Sequence, residues 1–147
     1  FIIDTGSVFD SYYCDFDRNY AFGSISDEAK KAYRVTYEAT EAGFNAAQVG
    51  NTTSDIFNAM NDVLQKGGAL GNTVGRLGHG LGMQLTEWPS NTQTDNTILE
   101  PGVVLTLEPG MAFLPGKEMV HEENIVITEN GPEWLSIRAA EELPIIQ

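Results

Sequence analysis

The chain has 147 residues, 41% of them hydrophobic, with 21 acidic against 8 basic side chains and a formal charge of −13. This length and apolar content suit one folded domain and exclude a disordered chain, and the acidity argues against a nucleic-acid partner, whose phosphates call for lysine and arginine. No apolar run is long enough to span a membrane and no stretch reads as a signal peptide; the single cysteine, Cys14, excludes an internal disulfide and suits a reducing compartment, so a cytoplasmic protein is expected.

The chain opens at Phe1, inside a β-prone run, so a fragment lacking an N-terminal part is expected. Ile2-Ile3 and Tyr12-Tyr13 flank a polar break, which predicts a hairpin with its turn at Phe9-Asp10. A two- or four-residue loop centred there sets Asp4 opposite Asp15 on one face, with Cβ atoms about 4.5–5.5 Å apart. Like charges that close destabilise the pair unless a cation lies between them; carboxylates in water on a surface hairpin are the plainer alternative. By the two-residue period of a strand, Asp17 shares the face of Asp15, while Cys14 and Arg18 point away. Arg18 is expected to pair with a carboxylate and fix the strand. Cys14, with no histidine near it in sequence, reads as a buried structural thiol.

Ser24 to Ser26 precede a helix with Asp27 and Glu28 in its first turn, where the helix dipole favours acids. Ala29, Ala32, Tyr33, Thr36, Ala39 and Gly43 recur at helical spacing and predict a helix to about Ala47, stopped before Gly50. Thr52 or Thr53 caps a second helix with Ile56, Met60, Val63 and Leu64 as its buried stripe, ended by Gly67-Gly68. Neither helix carries a chemical motif, and both read as cover on one face of a sheet.

Val74 to Pro89 (VGRLGHGLGMQLTEWP) surrounds His79 with glycines at 75, 78, 80 and 82. Glycine weakens a strand unless backbone approaches closely or takes unusual angles, so the imidazole is expected where larger neighbours would not fit. On its own the histidine reads equally as a ligand or a structural residue. Asp95 to Glu100 reads as loop, and Pro101-Gly102 begins a strand over Val103 to Glu108. Met111 to Leu114, a turn at Pro115-Gly116 and a strand over Met119 to Thr128 follow. A turn centred on Pro115 sets Glu108 opposite Glu122, and a one-residue slip would select Glu123. Asn130-Gly131 is a turn, Trp134 to Ile137 a last short strand, and Glu141 to Gln147 a tail.

Asp4, Asp15, His79, Glu108 and Glu122 form a hard, oxygen-rich donor set suited to Mn²⁺, Fe²⁺, Co²⁺ or Zn²⁺. Four carboxylates overcharge a single ion, whereas two divalent ions about 3.5–4 Å apart balance them.

Together these pieces resemble the pita-bread metallohydrolases, the group of methionine aminopeptidase, aminopeptidase P, prolidase and creatinase. IDTG with Asp4, CDFDR with Asp15, GHGLG with His79, LEPG with Glu108 and EENIVIT with Glu122 occur in the family's order across nearly the whole chain. The resemblance implies an α+β pita-bread fold, a mostly antiparallel curved sheet covered by helices, with residues 1–147 as the C-terminal portion of one catalytic domain. It implies two divalent ions: Asp4 chelates one, Asp15 and Glu122 bridge both, and His79 and Glu108 complete the shell of the second. It selects Glu122 over Glu123 and leaves His121 outside the ligand set. The implied activity is that of an aminopeptidase or Xaa-Pro dipeptidase, with a hydroxide between the ions attacking the peptide carbonyl and Glu108 carrying a proton to the leaving nitrogen. A homodimer and an upstream substrate-facing histidine are implied by the same resemblance.

Three positions depart from the family pattern. Thr86, in TEWP, stands where the Xaa-Pro peptidases carry the histidine of an HExP motif, and Val120 stands where they often carry an arginine. Threonine donates a hydrogen bond but is neither a cation nor a general acid. Asp17 replaces the family's usual threonine and reads as an acid behind the ligands or as a third ligand. Thr86 and Trp88 are the candidate substrate-binding residues, the tryptophan either packed or offering its face to a cationic group. The alternative function is hydrolysis or elimination on a small polar or zwitterionic solute, as in creatinase, ectoine hydrolase or a dimethylsulfoniopropionate lyase. A binding module without catalysis is disfavoured, because buried carboxylates without a cation are costly.

Overall fold

An antiparallel hairpin of β1 (Ile2–Phe9) and β2 (Tyr12–Asn19) opens the chain in the computed structural model, which describes residues 1–71 and 75–147. Val74, the first residue of the glycine-rich stretch, lies outside the described residues. The turn falls on Asp10-Ser11, with φ of 48° and 71°, and not on Phe9-Asp10. A two-residue hairpin turn of this hand needs positive φ at both central positions, which aspartate tolerates and a bulky phenylalanine does not. Moving the turn centre by one residue shifts the pairing by two. Asp4 therefore pairs with Asp17, and Asp15 with Gly6, in place of the expected Asp4–Asp15 pair. A two-residue shift preserves the faces, so Asp4, Asp15 and Asp17 still share one. Cys14 is half-buried rather than buried, its thiol 3.3 Å from the Ser7 hydroxyl.

β3 (Ala21–Phe22) leads into α1 (Asp27–Ala46), whose first free N–H groups are served by Ser26: its side chain accepts from the Ala29 amide. α2 (Thr53–Gly67) begins with a reciprocal capping box between Thr52 and Asp55 and ends at Gly68, in the left-handed region at φ 94°. The remaining strands are β4 (His79–Gly80), β5 (Glu87–Ser90), β6 (Val104–Leu107), β7 (Gly110–Leu114), β8 (Lys117–Val120), β9 (Glu123–Thr128), β10 (Gly131–Trp134) and β11 (Ile145–Ile146).

Five of these form an antiparallel sheet in the order β10-β9-β6-β4-β5. Leu105, Leu107, Ile125 and Ile127 turn one face to the helices, where they form the core with Tyr33, Ile56, Met60 and Leu64. Thr106 and Asn124 alternate with them and occupy the opposite face. The strand expected over Met119 to Thr128 breaks at His121-Glu122 into β8 and β9. The flanking ladders keep one register, Leu107 with Glu123 and Gly110 with Val120, so Glu108 stands across from Glu122 at the bend. Pro109 has no N–H to extend the ladder; its carbonyl accepts from the His121 amide at 3.1 Å.

Two C-terminal expectations are corrected. The last sheet strand is β10, not Trp134 to Ile137, because pairing with β9 starts directly after the turn and is complete at Trp134–Ile125. The Ile137 carbonyl instead accepts from Arg18 at 2.6 Å. The tail is not free of structure: β11 pairs in parallel with β3. Among the described residues no helix is long and apolar enough to cross a membrane.

Candidate metal centre

On the sheet face turned away from the helices, an oxygen of Asp15, a ring nitrogen of His79 and an oxygen of Glu122 lie within 4.8 Å of one another, as do oxygens of Asp4, Asp17 and Glu122. Glu122 belongs to both groups. His79 Nε2 is 3.9 Å from Asp15 Oδ2 and 4.0 Å from Glu108 Oε2, which brings Glu108 to the same place. All five residues expected as ligands are thus assembled, with Asp17 as a sixth acid or base group among them.

His79 is held by backbone. Its amide donates to Thr106 Oγ1 at 3.0 Å, and its Nδ1 lies 2.9 Å from the Gly80 carbonyl. A carbonyl only accepts, so Nδ1 carries the proton and Nε2 presents its lone pair to Asp15 and Glu108. Burial also pulls the His79 pKa down, against the opposing Gly80 bond, so the ring is neutral. Two glycines make this seat. A Cβ on Gly78, where φ is 131°, would lie 2.2 Å from the Thr106 carbonyl oxygen, and one on Gly80 would lie 2.5 Å from that of Trp88. At Gly75 a φ of 77°, in the left-handed region, accounts for the glycine through backbone angle and not through close approach.

The acids are strained by desolvation and by one another. Burial, then Asp4, Glu108 and Asp15, push Asp17 up to about 7. Burial, then Glu108, Asp15, Asp17 and Asp4, push Glu122 up to about 10. Burial raises Asp15, with Asp4 adding to it, and raises Glu108 against the nearby Arg76 guanidinium. Among the described residues, Asp17 Oδ1, Glu108 Oε2 and Glu122 Oε1 are buried without a hydrogen-bond donor. A divalent cation would relieve both the repulsion and the missing partners, and hard oxygens with one neutral imidazole are a donor set that fits it.

Glu123 is excluded from this set by strand parity and by its contacts. It shares the helix-facing side with Ile125, forms an ion pair with Arg18 at 3.0 Å, and accepts from the Ala139 amide at 2.7 Å and from the Ser136 hydroxyl. His121 lies on that side too, edge-on to Tyr33 at 4.4 Å between ring centroids. Burial, then Arg138 and Arg18, hold it down at about 3, so it is a neutral core residue and not a member of the centre. Arg18 has the role expected of it, fixing β2 through a carboxylate.

The hairpin is a separate two-stranded sheet, and side chains lock it to β8, to β9 and to the bend between them. Arg18 donates to the Glu122 carbonyl at 3.1 Å, and Asn19 to the Val120 carbonyl at 2.6 Å. Asn124 accepts from the Asp15 amide at 3.1 Å and donates back to the Asp15 carbonyl. Sequence reading missed Asn124 and Thr106. Each is a polar residue within an apolar strand, two positions from Glu122 and Glu108 respectively, and that parity is the signal that marks them.

Neither candidate substrate residue is a member of the two ligand groups. Thr86 is exposed in the loop before β5, and Trp88 in β5 is 74% exposed, so its ring is not core packing. Val120 closes β8 opposite Gly110. A cavity of about 730 Å³ opens on the other face of β2, lined by Phe16, Arg18, Tyr33 and Ile137, and includes none of the six site residues.

Residues 1–129 match metallopeptidase family M24, and the chain belongs to that family. It is 32% identical over 136 residues to an Xaa-Pro dipeptidase of Pyrococcus furiosus, covering 92% of this chain and 39% of the relative. With an Xaa-Pro dipeptidase of Lactobacillus helveticus it shares 34% identity over 131 residues, 88% of this chain and 35% of the relative. The crystal structure of a dipeptidase from Pyrococcus horikoshii superimposes with a TM-score of 0.91 at 31% identity, over 99% of this chain and 40% of that one. The expected α+β pita-bread fold is therefore the fold found, and the chain spans about two fifths of the length of these relatives.

Proposed function

We propose that this chain carries the dinuclear metal centre of an aminopeptidase or Xaa-Pro dipeptidase. The supporting observation is the convergence of a neutral imidazole nitrogen and five carboxylates, three of them with buried oxygens that no donor among the described residues reaches. Asp4 would hold one divalent ion, His79 and Glu108 the other, with Asp15 and Glu122 shared. The donors suit Mn²⁺, Co²⁺, Fe²⁺ or Zn²⁺. Metal bound there supplies a Lewis acid and a nucleophile available near neutral pH. Glu108, half-buried with Oε2 turned toward His79, would pass a proton to the leaving nitrogen. The Gly80 carbonyl would keep the His79 ring in one tautomer through the cycle, while Thr106 holds the His79 backbone. The names of the relatives favour a dipeptide ending in proline.

A second reading, a hydrolase or lyase of a small zwitterion, is favoured by Thr86 and Val120 in place of a histidine and an arginine, and by the open face of Trp88. Elemental analysis of the whole protein beside an Asp15→Asn variant, followed by Xaa-Pro dipeptides and small zwitterions assayed with Mn²⁺, Co²⁺ and Zn²⁺, tests both. About two ions per chain, lost in the variant, with dipeptide cleavage is the expected result. Metal with turnover of zwitterions alone selects the second reading; no metal and no metal-stimulated activity overturns both.

A further inference from the structure

We infer that Asp17 is a further metal ligand, closing with Asp4 and Glu122 an all-carboxylate pocket around the ion that Asp4 holds. The inference rests on the dinuclear reading above and adds a ligand to it. The hairpin register puts Asp17 directly across from Asp4. Oxygens of Asp4, Asp17 and Glu122 lie within 4.8 Å of one another. Asp17 is only 4% exposed, and its Oδ1 has no hydrogen-bond partner among the described residues. Its neighbour Arg18 offsets the repulsion only in part and bonds elsewhere: that guanidinium donates to the Asp17 backbone carbonyl at 2.8 Å and to the Glu123 carboxylate at 3.0 Å, on the other side of the strand. A buried carboxylate with an orphaned oxygen, facing two other acids, is in place for a cation and for little else.

The consequence is one of charge and hardness. With Asp17 the centre has five carboxylates, Asp4, Asp15, Asp17, Glu108 and Glu122, against the four positive charges of two divalent ions, and the pocket of Asp4 contains oxygen donors alone. Oxygen-only surroundings favour an octahedral ion such as Mn²⁺ over Zn²⁺, which prefers fewer ligands with nitrogen or sulfur among them.

The test is Mn²⁺ and Zn²⁺ titration calorimetry on the whole protein, its Asp17→Asn variant and its Asp17→Thr variant, with melting curves of each in chelator. The wild type is expected to take up two Mn²⁺. Both variants are expected to keep one at wild-type affinity, bind the second at least about 10-fold more weakly, and lose preference for Mn²⁺ over Zn²⁺. Without metal they are expected to melt no lower than wild type, since a buried like charge has been removed. Two Mn²⁺ at wild-type affinity in both variants would overturn the ligand role while leaving the dinuclear reading intact. Metal-free variants that melt well below wild type would also overturn it, giving Asp17 a structural role instead. A wild type that binds no metal would overturn the dinuclear reading together with this one.

Discussion

Glu122 and Glu123 are adjacent in sequence and lie on opposite faces of the strand. Glu123 is fully buried and bonded to Arg18, Ser136 and the Ala139 amide. Glu122 is 2% exposed, with an orphaned oxygen and other acids around it. Neutralising each should have opposite effects. Glu123→Gln leaves Arg18 without its buried counter-charge, while Arg138 keeps Glu41, and is expected to cost about 3 kcal/mol, the usual result of breaking one side of a buried pair. Glu122→Gln removes the cost of taking up a proton that the unfolded chain has released by pH 7, so metal-free stability at pH 7 should hold or rise while metal uptake is lost. Urea unfolding in chelator, paired with metal titration, separates the two; a Glu122→Gln protein as unstable as Glu123→Gln would refute the assignment. The sequence could not make this choice alone, because a one-residue slip exchanges the two glutamates.

The hairpin of β1 and β2 supplies three acids of the site, yet it is a separate sheet joined to β8 and β9 mainly by side chains. Asn124 is the clamp nearest the site, bonding the Asp15 amide and carbonyl across 109 residues of chain. Asn124→Ala is expected to cost about 1–3 kcal/mol, the penalty for leaving buried backbone groups unpaired, and to weaken metal binding by letting Asp15 and Asp17 drift together. Melting curves and Mn²⁺ titration of the variant would show it; a loss of stability with wild-type metal affinity would count against the clamp as a positioning device. At this scale the faces were legible and the partners were not. Strand parity depends only on spacing along the chain. Pairing depends on which two residues accept positive φ, and Asp10-Ser11 displaced Phe9-Asp10 for that reason.

Across the whole molecule, the raised carboxylates give metal-free stability a definite slope with pH. Asp17 at about 7 and Glu122 at about 10 bind protons in the folded state that the unfolded chain has already released. Stability from these groups is complete below the ordinary carboxylate range, about pH 4, and is lost as pH rises through 7 and on toward 10. His121 has the opposite sign. Held at about 3, it favours folding above the ordinary histidine value and loses that contribution as pH falls. In chelator the melting temperature should therefore decline between about pH 5 and pH 8, and saturating Mn²⁺ should flatten the decline by holding the acids ionised in the fold. A metal-free melting temperature that is level or rises over that range would contradict the strained-acid account.

By itself the sequence determined the two helices, the order of the candidate metal-binding residues along the chain, and which residues of a strand share a face. Caps such as Ser26 and the Thr52–Asp55 box, the helical stripe of α2, and the two-residue alternation through Thr106, Glu108, Glu122 and Asn124 are local properties of the chain. Tertiary structure alone decided that Asp17 and not Asp15 faces Asp4, that Asn124 and Arg18 dock the hairpin, and that Glu122 keeps an oxygen without a partner among the described residues while Glu123 has several. Those outcomes depend on desolvation and on contacts through space between strands distant in sequence, and neither is written in the spacing of residues along the chain.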